Sequence, residues 1–152
     1  MNPMGILDLR GTLVINTKER KMGKIAKDEF VVLCDDIREE TGNKRSLMGV
    51  YSDNLILKNV PATLPKICLY IMLGGIKRQF ENIHVTTKLP KLEPHSFELK
   101  ALPLINVGQN MSMGIVISPF KVQSQGNARF EIRLDNDEKS SLIYKFKILV
   151  EE

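Results

Sequence analysis

Residues 128–150 read ARFEIRLDNDEKSSLIYKFKILV. In the first half Phe130, Ile132 and Leu134 fall on one side of an extended chain, and Arg129, Glu131, Arg133 and Asp135 on the other. After the turn-forming run 135–140 the pattern resumes, with Leu142, Tyr144, Phe146 and Ile148 alternating with Ile143, Lys145, Lys147 and Leu149. A period of two marks a strand with one buried and one wet face. The polar residues between the two runs suit a tight connection. The stretch therefore predicts an antiparallel hairpin.

Working outward, short runs rich in Val, Ile, Leu, Tyr and Phe recur at 29–37, 46–57, 66–74, 81–89, 95–104 and 110–122. Such runs separated by turn residues are β-strand signals. Prolines at 61, 65, 90, 94, 103 and 119 leave little room for a long helix. Only IKRQFENIH (76–84) has space for a helical turn. KICLYIMLGG (66–75) is apolar almost throughout and reads as a strand covered on both faces. The expected fold is all-β: an antiparallel two-sheet β-sandwich of about seven to nine strands, with little helix.

At 152 residues and 43% apolar composition, the chain has the size and content of one globular domain. Its net charge of +4 is unevenly spread. Residues 1–27 hold six bases against two acids, whereas residues 28–152 hold sixteen of each. The expected division is a basic N-terminal arm, 1–27, followed by a neutral β-sandwich, 28–152. Within the arm, Arg20, Lys21, Lys24 and Lys27 are the candidate interaction residues, for an acidic partner or for salt-sensitive phosphate contacts. The neutral body lacks the basic stripe with exposed aromatics that nucleic-acid binding requires, which argues against that partner.

The longest apolar run, ICLYIML, is seven residues, far short of the roughly 18 of a membrane-spanning helix. No secretory leader is legible at the N-terminus. Cys34 and Cys68 each sit in an apolar run and read as buried thiols in a reducing compartment. A cytoplasmic protein is expected.

FVVLCDDIREETGNKRSLMGVYSDNLIL (30–57) poses the question of chemistry. Its acids Asp35, Asp36, Glu39 and Glu40 close one hydrophobic run, and Asp135 and Asp137 close another. Oxygen-rich strand ends can supply the roughly six to eight ligands of calcium, so Asp35, Asp36, Asp135 and Asp137 are the candidate metal residues. The reading preferred to this is a solvated hairpin rim, with no metal, whose acids bond nearby amides and face Lys44 and Arg45 across the turn. The two histidines, His84 and His95, lack zinc-ligand spacing, and no nucleophile motif accompanies them. No catalytic residue and no cofactor are expected.

The same segment resembles a family of uncharacterised bacterial and phage proteins. The matching residues are Cys34, Asp35, Asp36, Arg38, Asn43, Lys44, Gly49, Val50 and Tyr51, with Pro65 and the apolar run 67–73 downstream. The likeness covers roughly 29–75. It implies a β-sandwich without an assigned activity.

The function expected from these features is non-enzymatic: a protein-interaction or assembly module whose partner is another protein or a second copy. Open sheet edges and the off-stripe apolar residues Ile143 and Leu149 offer contact surface. The alternatives are a calcium- or carbohydrate-binding module using the acidic ends, and nucleic-acid contact through the arm.

Overall fold

The computed structural model describes residues 6–7, 13–14, 25–135, 137 and 141–152. The described chain is β throughout: β1 (Ile6–Leu7), β2 (Leu13–Val14), β3 (Ala26–Glu40), β4 (Lys44–Tyr51), β5 (Asn54–Leu57), β6 (Ala62–Leu64), β7 (Ile67–Ile76), β8 (Phe80–Lys88), β9 (His95–Ile105), β10 (Met111–Ile117), β11 (Phe120–Val122), β12 (Gly126–Leu134) and β13 (Ser141–Val150). No helix among the described residues is long and apolar enough to cross a membrane.

Two larger sheets dominate. One has the order β10-β7-β3-β4, the other β5-β13-β12-β8-β9; β11-β6 and β1-β2 form small pairs. The hairpin expected at 128–150 is present, with Phe130 opposite Tyr144 and Ile132 opposite Leu142. Its inward residues Phe130, Ile132, Leu134, Leu142, Phe146 and Ile148 are all buried. They join a single apolar cluster with Val31, Leu33, Leu69, Ile71 and Leu73 of the four-stranded sheet. Phe130 stacks on Phe146 at 5.5 Å between ring centroids and lies 6.4 Å from Phe120. Each such buried side chain stabilises the fold by about 1.5–3 kcal/mol relative to exposure.

The structure has more strands than the seven to nine expected, thirteen among the described residues, and departs from the expectation in four further ways. First, two predicted runs are each two strands. The 46–57 run leaves the four-stranded sheet at Ser52-Asp53 and enters the five-stranded one as β5. The 110–122 run breaks at Ser118-Pro119, where Pro119 has no N–H for a ladder, and β11 pairs with β6 instead. Second, the sheets are not wholly antiparallel, because β5 runs parallel to β13. Third, 76–84 makes no helical turn: Ile76 ends β7 and Phe80 opens β8. Fourth, the domain starts before residue 28. Ile25 and Ala26 are fully buried in the apolar cluster, and Lys27 is already on β3.

Candidate functional site

The acids that close the first hydrophobic run stand where β3 outgrows its neighbour. Cys34 is opposite Cys68, the last register pair between β3 and β7; beyond it, β3 pairs with β4 alone. The free end, a hairpin turning at Gly42-Asn43, folds back over the outer face of the four-stranded sheet. Ile37 lies against Gly114 of β10. The Arg45 guanidinium sits 5.8 Å above the Tyr70 ring, and its Nη1 donates to Ser112 Oγ at 2.9 Å. Across the hairpin, Arg45 also pairs with Glu39 at 2.8 Å.

This cover explains an otherwise odd burial. Val32, Cys34 and Cys68 are buried but lie outside the main apolar cluster, on the opposite face of their strands. Both cysteines are free thiols. The Cys34 sulfur contacts the Asp36 carbonyl at 3.5 Å, and the Cys68 sulfur contacts the Asp35 carbonyl at 3.6 Å. Burial, and after it the neighbouring Cys68, pushes the Cys34 thiol up to about 11. Burial likewise raises Cys68.

The acids serve the bend. Asp35 accepts a hydrogen bond from the Tyr51 hydroxyl and fills the space over Gly49, whose φ is 64°. Burial and then the Asp35 carboxylate raise the Tyr51 hydroxyl's pKa. Asp36 accepts from Lys66 Nζ at 2.6 Å and from Arg38 Nε at 3.3 Å. Those two cations hold its carboxyl below the usual carboxylate range.

Asp135 and Asp137 lie elsewhere. Asp135 Oδ1 accepts from the backbone N–H groups of Glu81 and Asn82 at 3.0 and 2.9 Å. Arg78 donates to the Leu134 carbonyl at 2.6 Å and pairs with Asp135 at 3.3 Å and Asp137 at 3.5 Å. Arg78 follows the C-terminal end of β7, whereas Asp35 and Asp36 flank its N-terminal end. Ten residues of strand separate the two groups, roughly 30 Å. A calcium site drawn from both pairs of acids is therefore not formed. Among the described residues, no three His, Cys, Asp or Glu side chains converge to hold a metal ion. Of the arm's candidate residues, Arg20, Lys21 and Lys24 lie outside the described residues; Lys27 is exposed on β3.

A different site emerges on the five-stranded sheet. A concave opening of about 730 Å³ is lined by Asp53, Asn54, Lys88, Leu89, Asn127 and Arg129 together with Ala128 and the 145–147 segment of β13. Strand register builds it. Arg129 is opposite Lys88 on β8 and Lys145 on β13, so three cations form one row across three strands. Two residues along, on the same face, Lys147 stands between Asn127 and Asn54. Glu131, also on this face, is 3.1 Å from Lys88 Nζ and 3.0 Å from Arg129 Nη2. The alternation of β12 and β13 already put Arg129, Lys145 and Lys147 on a wet face. Only the register with β8 brings Lys88 beside them.

His84 faces Glu98 at 3.4 Å, and Thr86 bonds Ser96 at 2.9 Å, both between β8 and β9.

Comparison with known proteins adds the following. Solved structures of a β-glucosidase from Listeria innocua align at a TM-score of 0.38 and 12% identity. The match to the glucose complex covers 80% of this chain and that to a second structure of the enzyme 82%, each over 16% of the enzyme. The chain thus spans about a sixth of that enzyme's length. No curated protein matches. Residues 29–147 match DUF6941, a family of unknown function. That match begins within β3 and ends within β13, taking in strands of both larger sheets, and the chain belongs to this family of unknown function.

Proposed function

We propose that the chain is a non-enzymatic β-sandwich protein of bacterial or phage origin, working in the cytoplasm as a protein-interaction or assembly module. The layering is supported by the apolar cluster, to which the inward faces of the four- and five-stranded sheets both contribute. The interaction role is carried by one observation. Among the described residues eight large apolar side chains are exposed, and four share the outer face of the four-stranded sheet: Met48, Val50, Met72 and Val116. Met48 and Val50 lie on β4 of the hairpin itself, Met72 on β7, and Val116 is 59% exposed on β10, whose single strand partner among the described residues is β7.

An edge strand with apolar neighbours is a template for strand addition. Antiparallel pairing of β10 with β10 of a second copy would extend the sheet and flank Val116 with a neighbouring strand in both protomers. The non-enzymatic reading is supported by what occupies the titratable groups. Asp35, Asp36 and Asp135 each serve a hinge, an ion pair or a backbone cap rather than an open cleft.

Light scattering across a concentration range tests the role. The expected result is a mass above the 17.2 kDa of one chain, returning to that mass in Val116→Asp. A monomer at every concentration, with no captured protein that Val116→Asp releases, overturns the proposal.

A further inference from the structure

We propose that the concave site on the five-stranded sheet binds a small organic phosphate, a molecule with at least two negative charges on a compact apolar body. The inference goes beyond the protein-binding role and uses a different surface.

Its first support is the arrangement of charge. Like charges directly opposite one another on neighbouring strands destabilise a sheet. Here Lys88, Arg129 and Lys145 stand in one such row, and Lys147 lies on the next. Among the residues lining the opening, these four cations face a single carboxylate, Asp53. Glu131 reaches Lys88 and Arg129 but leaves the cluster positive. Residues 28–152 carry no net charge, so the concentration at this spot is local rather than a reflection of composition. A bound anion offsets the repulsion that the row builds in, and a concave site focuses the field on it.

The second support is the chemistry of the lining. Arginine presents a planar fork suited to phosphate oxygens, and lysine a compact charge beside it. Asn54 and Asn127 flank Lys147 and supply neutral amide donors for hydroxyl or carbonyl groups. The apolar part of the lining is Leu89 and the methylene stems of the lysines, because the side chains of Ala128 and Phe146 turn to the core on the opposite face. About 730 Å³ is in the range of pockets that take small molecules, and a mix of apolar wall and few polar anchors is their usual make-up. Inorganic phosphate satisfies the cations alone; an organic phosphate satisfies both parts of the lining.

Calorimetric titration of the full chain at low salt, with inorganic pyrophosphate and with a mononucleotide triphosphate, tests this. Both should bind, the nucleotide more tightly. Lys147→Gln and Arg129→Gln should each weaken binding about tenfold, the loss expected from one charge-assisted contact. Lys121→Gln, an exposed charge on β11 outside the site, should leave it unchanged. Lys147 is exposed, so its variant keeps the fold, and circular dichroism checks this. Absence of heat with both probes overturns the proposal. So does equal weakening by Lys121→Gln, or binding of a single-stranded oligonucleotide with neither small phosphate bound.

Discussion

Ile37 packs onto Gly114 so closely that a Cβ added at position 114 would stand 2.9 Å from its Cδ1. The two residues belong to strands that are not neighbours in the sheet, and their contact exists because the end of the β3–β4 hairpin folds over the outer face. Gly114 is thus the seat of the hairpin tip. The seat determines whether Cys34 and Cys68 are covered.

A graded series at this position reads the fit. Gly114→Ala meets only the end of the Ile37 side chain, which can turn aside, and should cost less than about 1 kcal/mol. Gly114→Val overfills the seat and should cost about 1–3 kcal/mol by chemical denaturation. Adding Ile37→Ala to Gly114→Val removes the clash, so the double variant should be more stable than the sum of the singles implies. Strict additivity would show that the contact does not seat the hairpin.

Gly49 tests the hinge itself. Its φ of 64° disfavours any side chain, and a Cβ there would lie 2.8 Å from Asp35 Cγ and 3.0 Å from Asp35 Cβ. Gly49→Ala should therefore combine left-handed strain of roughly 1–2 kcal/mol with loss of the Asp35–Tyr51 hydrogen bond, roughly 0.5–1.5 kcal/mol. Gly42, with φ of 78°, has only Lys44 Cε nearby, at 3.7 Å. Gly42→Ala should bear the backbone strain alone, so the two midpoints in a denaturant series should separate. Equal losses would remove Asp35 from the hinge.

What the sequence disclosed follows from how far each feature depends on distant residues. The alternation of Phe130, Ile132 and Leu134 against Arg129, Glu131 and Arg133 is local, and β12 and β13 were legible from it. The change of sheet at Ser52-Asp53 is tertiary: the polar Ser52, Asp53 and Asn54 mark a break in the 46–57 run, but nothing local says that the chain passes to the other sheet. β6, squeezed between Pro61 and Pro65, is three residues long and lacked any pattern to read. Of the acids of 35–40, Glu39 and Glu40 face Arg45 and Lys44 across the turn, as the charge pattern predicts, whereas Asp35 and Asp36 bond Tyr51 and Lys66. Nothing local told that this turn doubles back onto Tyr70 and Ser112. The row of Lys88, Arg129 and Lys145 was hidden for the same reason: residues on β8 and β13 meet only through β12.

Asp135 makes an acid-side prediction. Burial alone would raise its carboxyl; the amides of Asn82 and Glu81, and then Arg78, outweigh this and hold it below the usual range. A folded-state pKa below the unfolded value, about 3.9, stabilises the protein at pH above that value. The contribution is lost as pH falls through the lower, folded-state pKa. Stability measured from pH 7 to 2 should drop below about pH 4. Asn keeps an oxygen acceptor and tolerates the φ of 49° but carries no charge for Arg78. Asp135→Asn should lower stability at pH 7 and flatten the acid-side slope. An unchanged slope would assign the acid sensitivity to other carboxylates.

The thiols report on the hairpin tip without any change to the core. Cys34 and Cys68 are fully buried, and Cys34 titrates only near 11, so at pH 8 both should react slowly with a disulfide reagent. Reaction requires the cover to lift. Arg45 holds that cover by stacking on Tyr70, worth about 0.5–1 kcal/mol, and by bonding Ser112, worth about 0.5–1.5 kcal/mol. Arg45→Ala should then raise the open population, and with it the labelling rate, by roughly five- to fiftyfold. Cys34→Ser and Cys68→Ser should each leave one thiol with the same acceleration, because a single movement uncovers both. Two rates responding differently to Arg45→Ala would mean that separate openings expose them. Rates that track global unfolding in every variant would mean that the hairpin and the sheet beneath it come apart only together.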